Sequence, residues 1–237
     1  LLLENCPEVN DRALIAKLGY EAEVREFDEP GGMMDHFTSS LGGVLWIDCK
    51  TPFSVEAIHG SPLQGFVLGD SLEKKPTTQV LSSVKGDLRN GVDTLKQYLP
   101  SFDFRQTAFH DVEPHIDNLP ILVQKKIRAT FIDRDLALEA KRLMQSPPID
   151  FEARLGSLLM RHHEQLRDGL HISTPKIERM ITAAMSTGAL GCKINGSGGG
   201  GCMFAYAPAR EQEVAKAIEA EGGKAYVVKL SKGVQIQ

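Results

Sequence analysis

The chain has 237 residues, 42% of them hydrophobic and 24% charged, which excludes disordered and fibrous classes and leaves ample length for a sizeable core and two subdomains. A formal net charge of -4, from 27 basic and 31 acidic residues, supplies no global positive field for a nucleic-acid backbone, so no nucleic-acid partner is expected. No apolar run approaches the roughly 20 residues that span a bilayer, and Leu1-Leu2-Leu3 is too short for the core of a signal peptide, so a soluble protein without a membrane partner is expected, and four scattered cysteines fit a reducing cytoplasm.

Leu14, Ile15, Leu18, Ala22 and Val24 recur near a 3.6 period and predict a helix over 11–27, with Asn10 as its N-cap. It stops before Glu29-Pro30-Gly31-Gly32, where proline removes a donor and glycine permits positive φ. Runs at 44–48, 53–59 and 63–68, separated by Lys50-Thr51-Pro52 and Gly60-Ser61-Pro62, read as an antiparallel meander of three strands. Helical periodicity returns over 77–99 and again over 119–144, as in a helical hairpin. The mixed segment 101–118, with Pro114, reads as a linker or subdomain boundary.

In the helix predicted for 151–170, Phe151, Leu155, Leu158, Leu159, His162, Leu166 and Leu170 share a face, so His162 reads as a hydrogen-bonded core histidine with His163 beside it. Thr174-Pro175 has the N-cap and N1 preferences of another helix, which Gly188 is placed to end. The remaining chain reads as strand 190–194, a glycine loop, strand 202–207, helix 210–221 and strand 225–230. An α+β fold, with helices on one face of an antiparallel sheet, accommodates this order. The four cysteines form no C-x-x-C pair and the histidines no H-E-x-x-H, so neither a disulfide framework nor a protein-held metal is expected.

Two places carry chemistry. Lys193-Ile194-Asn195-Gly196-Ser197-Gly198-Gly199-Gly200-Gly201-Cys202 holds five glycines in six residues between apolar strands. Each costs backbone entropy, so the run calls for a close approach by a ligand or another backbone, and its successive N–H groups suit an anion. It is not a P-loop, because no Gly-Lys-Ser/Thr follows. A flexible hairpin is the other reading. The second place is Pro30-Gly31-Gly32-Met33-Met34-Asp35-His36-Phe37. Asp35 there either N-caps a helix beginning near His36 or serves as a positioned carboxylate that orients or deprotonates an attacking hydroxyl.

The stretch from Gly31 to Gly43 resembles the galactokinase pattern G-I-M-D-Q-F-x-S-x-x-G. His163-Glu164-Gln165-Leu166-Arg167-Asp168, followed by Ile172-Ser173-Thr174-Pro175, is similar to S-H-x-S-L-R-D-x-x-x-V-S-x-P. The glycine loop resembles the third motif of the GHMP kinase superfamily, K-x-T-G-A-G-G-G-G-C. The three matches occur in family order and span essentially the whole chain, so the sequence resembles a galactokinase-like member of that superfamily. The resemblance implies an α+β kinase fold. Residues 1–105 would be the C-terminal part of a ribosomal-protein-S5-like domain, and 106–237 a ferredoxin-like C-terminal domain, with the active site between them. It implies ATP and Mg²⁺ as cofactors and transfer of the γ-phosphoryl group to a hydroxyl, the anomeric one of a sugar. Asp35 would be the catalytic residue, with Gly31, Gly32, Asn195, Gly196, Ser197, Gly198, Gly199 and Gly200 lining the substrate and phosphate site.

His36 stands where the pattern has Gln, Asn195 where it has Thr, and the loop has the general superfamily form rather than the G-G-G-F-G-G form of galactokinases. These departures leave two alternatives: a kinase for another alcohol such as mevalonate, or a non-catalytic sugar and nucleotide sensor. The family's first two motifs do not occur, and the chain opens on Leu1. The expectation is therefore a truncated chain that does not phosphorylate on its own. No heptad seam points to an oligomeric state.

Overall fold

In a computed structural model of the protein, residues 11–28, 31–50, 53–60, 63–74 and 77–235 are described. The chain divides into two compact units, one of Leu1–Gln64, Met144–Pro147 and Lys229–Gln237, the other of Gly65–Leu143 and Pro148–Val228.

In the first unit, α1 (Arg12–Tyr20) runs on into a π-helical turn, Glu21–Arg25. Asp11 caps it, accepting from the N–H groups of Ala13 and Leu14; the expected cap, Asn10, lies outside the described residues. α2 (Met34–Leu41) follows, and Ala16 of α1 meets Met33 and Phe37 in a small core that Ile47 and Val55 adjoin. β1 (Leu45–Asp48) and β2 (Ser54–Ala57) form an antiparallel hairpin. The C-terminal tail crosses α2: Gly43 N donates to Ser231 O at 2.8 Å, and Val234 N to Ser40 O at 3.0 Å. At the crossing, Gly42 has φ +70° and an added Cβ would stand 2.2 Å from Gly233 N, so only glycine fits.

The second unit begins with β3 (Phe66–Asp70) and continues through α3 (Thr77–Leu95), α4 (Phe109–Ile116), α5 (Ile121–Gln145) and α6 (Phe151–Glu164), the last extended by a π-helical turn, Gln165–Gly169. Then come α7 (Pro175–Ser186), β4 (Gly191–Ile194), β5 (Cys202–Tyr206), α8 (Glu211–Ala220) and β6 (Lys224–Val228). The sheet order is β4-β5-β3-β6, antiparallel throughout. With helices between β3 and β4 and between β5 and β6, this is the ferredoxin-like βαββαβ arrangement. α7 and α8 pack on the sheet, where Val67, Ile177, Met180, Ile194, Met203, Val214 and Ile218 are fully buried. A second core gathers Leu95, Val112, Ile116, Ile127 and Phe131 among α3, α4 and α5.

The expected three-stranded meander does not form. β1 and β2 pair, but β3 lies between β5 and β6. β2 exposes Ser54, Glu56 and Ala57 and suits one neighbour, whereas β3 buries Val67 and Gly69. A Cβ at Gly69 would come within 3.0 Å of Ile218, Met180 and Met203, so β3 is the strand over which the helices close. The segment expected as a linker contains α4, amphipathic through Val112 and Ile116. Pro114 sits inside that helix, and a proline read as a breaker concealed it.

Candidate active site

Asp35 stands in the first turn of α2, not at its cap: the helix begins at Met34 and the cap position is Met33, which makes no side-chain cap hydrogen bond. A carboxylate in a first turn is favoured by the helix dipole. α2 is amphipathic, with Met33, Phe37 and Ser40 buried, and Asp35 is on its exposed side. Among the described residues the Asp35 carboxylate has no hydrogen-bond or ion-pair partner. His36 turns away from it: Nε2 lies 2.9 Å from Glu23 Oε2, and the ring packs edge-on against Tyr20. Gly32 does not use the positive φ that glycine permits. A Cβ at Gly32 would meet nothing within 4 Å. An open recess of about 710 Å³ beside α2 is lined by Leu14, Lys17, Tyr20, Met33 and Phe37 among others, without Asp35.

In the second unit the glycine loop joins β4 to β5, and Asn195 N donates to Cys202 O at 2.8 Å to close it. φ is positive at Gly196, Gly198, Gly199, Gly200 and Gly201 but not at Ser197, so the backbone alternates in hand across 196–198, the geometry that aims successive N–H groups into a common concavity. Two segments grip the loop. Ile172 O accepts from Gly199 N at 2.7 Å, and Ser71 N donates to Gly201 O at 2.8 Å. A Cβ at Gly198 would stand 2.4 Å from Ile172 Cβ, and one at Gly200 would stand 3.2 Å from Glu73 Cβ. Thr174 Oγ1 ties the two segments, donating to Glu73 Oε2 at 2.6 Å while accepting from Ile177 N as the cap of α7.

The N–H groups of Gly196, Ser197, Gly198 and Gly200 have no protein acceptor among the described residues, and Ser197 Oγ is buried without a partner. Asn195 is exposed at the loop's start. Ser71, Glu73 and Ile172 carry no signal in the sequence for this role; Thr174 was legible as a cap but not as a tie.

Of the adjacent histidines, His163 is the fully buried one, and His162 stands at the edge of the helix, 3.6 Å from Asp133 Oδ1 on α5. Gly156, Met160 and His163 recur at i, i+4 and i+7 on the face of α6 that β4 covers, a face the apolar stripe of Phe151, Leu155 and Leu158 does not mark. Burial holds the His162 imidazole down at about 4, helped by Lys193, and pushes the Asp133 carboxyl up to about 7 against the pull of Lys193. Lys193, at the head of the loop motif, is itself lowered to about 8 by burial, Asp133 opposing, and its ammonium lies 5.2 Å from the centre of the Phe204 ring. Among the described residues no group of three or more His, Cys, Asp or Glu could hold a metal ion, and no helix is long and apolar enough to cross a membrane.

Residues 150–225 match the family described as "GHMP kinases C terminal". The chain is 46% identical over 228 residues to the mevalonate kinase of Pyrococcus furiosus, covering 94% of this chain and 57% of that protein. It is 28% identical to the galactokinase of Pasteurella multocida, covering 92% of this chain and again 57% of the relative. The chain thus spans somewhat over half the length of the curated relatives it matches. The crystal structure of Lactococcus lactis galactokinase complexed with galactose superposes with a TM-score of 0.77 at 19% identity, over 97% of this chain and 61% of that one.

Proposed function

Since this chain belongs to the GHMP kinase superfamily, we propose that it serves an ATP-dependent kinase that phosphorylates an alcohol, and that the alcohol is the anomeric hydroxyl of a sugar. The observation that carries the reading is the glycine loop, held at both ends by hydrogen bonds yet offering the N–H groups of Gly196, Ser197, Gly198 and Gly200 and the Ser197 hydroxyl without partners among the described residues. Donors fixed in this way fit an anionic phosphoryl group, and phosphoryl transfer is catalysed mainly by positioning and charge stabilisation. ATP supplies the γ-phosphoryl group when bound. Asp35, exposed and without a partner among the described residues, is the carboxylate that orients the acceptor hydroxyl or takes its proton. Gly31 and Gly32 lead into it and leave room for the acceptor, and Asn195 lines the loop's entrance. Mg²⁺ accompanies ATP as the companion of its phosphates.

The sugar is supported by the Met33-Met34-Asp35 segment and its resemblance to galactokinases. Mevalonate is the second reading, favoured by the 46% identity to a mevalonate kinase across nearly the whole chain. The test is ADP release by the full-length protein with a panel of free sugars and mevalonate, wild type against Asp35→Asn. Turnover of one sugar that falls about 10²-fold or more in the variant, with an unchanged melting temperature, is the expected result. The same loss with mevalonate moves the acceptor and keeps the mechanism. Binding without turnover of any compound replaces the kinase by a sensor.

A further inference from the structure

α6 lies along the free edge of the sheet. β4 is an outer strand of the order β4-β5-β3-β6, so among the described residues no strand receives the N–H groups on its far side. α6 receives them with side chains. A Cβ at Gly156 would stand 2.2 Å from Leu190 O, and one at Gly191 2.2 Å from Gly156 O, so helix and strand touch backbone to backbone there. One turn on, Cys192 N points at Met160 Sδ, 3.3 Å away; at the end of the helix, Ile194 N donates to Nδ1 of His163, also at 3.3 Å. Ile194 is the last residue of β4, and the glycine loop begins immediately after it.

The His163 ring is fully buried, so both nitrogens need partners. Because Nδ1 accepts from Ile194, the proton of the neutral ring resides on Nε2, which lies 2.9 Å from Glu178 Oε1 and donates to it. Glu178, on α7, is held in turn by the Ser173 hydroxyl, which donates to Oε1, and by Arg167, whose Nη1 is 3.5 Å from Oε2. Ser173 sits between Ile172, whose carbonyl holds Gly199 N, and Thr174, which ties to Glu73 beside Gly200. Burial holds the imidazole below its ordinary range, against the pull of Glu178, which keeps the acceptor nitrogen free of a second proton.

We propose that His163 is a positioning residue for the glycine loop: through Nδ1 it fixes the Ile194 N–H at the loop's entrance, with Glu178 setting its tautomer and coupling it to the 172–174 segment that grips the loop's far end. The inference rests on the kinase reading only for what the positioned loop serves; the grip itself is read from this chain's own bonds.

The experiment compares His163→Asn with His163→Gln. Asn places an acceptor near the position of Nδ1, whereas Gln reaches toward Glu178 and leaves Ile194 N–H without an acceptor. Amide hydrogen exchange at Ile194 and Gly199 is read beside amides of β5 and α8 as controls for global stability. In the Gln variant, exchange at the two loop amides rises about tenfold or more beyond the controls, and in the Asn variant it stays within about threefold of wild type. In wild type, ¹⁵N shifts of the imidazole report the Nε2–H tautomer. An Nδ1–H tautomer, or loop and control amides rising together in both variants, overturns the proposal and leaves His163 as an ordinary core residue. Absence of turnover by wild type on every acceptor would sink the kinase reading while leaving these exchange readouts to decide the positioning role separately.

Discussion

At the scale of single residues, glycines with the same identity have unlike reasons. Gly198 has φ +78°, where an L side chain costs about 1–2 kcal/mol, and its added Cβ would press on Ile172, 2.4 Å from Cβ and 2.6 Å from the carbonyl oxygen. Gly32 has neither constraint. Gly198→Ala is therefore expected to destabilise the chain by at least about 2 kcal/mol, and Gly32→Ala to stay within about 0.5 kcal/mol of wild type, as read by urea denaturation. A loss of turnover in Gly32→Ala would then reflect crowding at the site, whereas one in Gly198→Ala would be confounded with folding. The density of glycines around the loop was legible in the sequence because backbone entropy makes such a run costly without cause. Ile172 as the neighbour that demands glycine at 198 was not, because nothing local marks a backbone that arrives from a separate turn.

At the scale of elements, most helices and strands could be read from periodicity and caps. Thr174 caps α7 as its residue type suggests, β4, β5 and α8 fall within the expected stretches, and β6 begins one residue before its own. The misses share a cause: a side chain or turn whose effect depends on what packs beside it. α6 turns Gly156, Met160 and His163 toward β4, so His163 is inside and His162 meets Asp133 at the junction of α5, α6 and β4. That junction has a pH signature. Asp133 titrates higher folded than unfolded, near 7 against 3.8, so its contribution to stability is present below about pH 4 and is lost as pH rises toward 7. His162 titrates lower folded than unfolded, near 4 against 6.5, so its contribution grows as pH rises across the same interval. In wild type the two slopes oppose each other between about pH 4 and 6.5. Asp133→Asn removes the falling slope and leaves the rising one. The variant is thus expected to gain more stability than wild type between pH 4.5 and 6.5, measured as the shift in denaturation midpoint. Parallel pH profiles for the two proteins would mean that Asp133 titrates normally in the fold.

At the scale of the whole molecule, the sequence marks β3 as a strand but says nothing of its partners. Pattern reports that 63–68 is apolar and extended; it does not report that Phe66 stands opposite Tyr206 on one side and Val228 on the other. Such pairings close long loops and are decided by the core as a whole, not by neighbours in the chain. β3 is the middle strand without which β5 and β6 have no common neighbour, and it contributes the fully buried Val67 and the close-packed Gly69. Among the described residues, the two largest apolar clusters lie within the unit that begins at Gly65. A fragment of residues 65–228 is accordingly expected to unfold in a single cooperative transition. The same fragment begun at residue 71 loses two ladders of backbone hydrogen bonds and the centre of the sheet, a loss on the scale of the 5–15 kcal/mol that stabilises a typical domain. It should show no cooperative transition by circular dichroism and should bind a dye that reports exposed apolar surface. If the shorter fragment unfolds as sharply as the longer one, β3 is an accessory strand, and the glycine loop owes its geometry to β4, β5 and α6 without it.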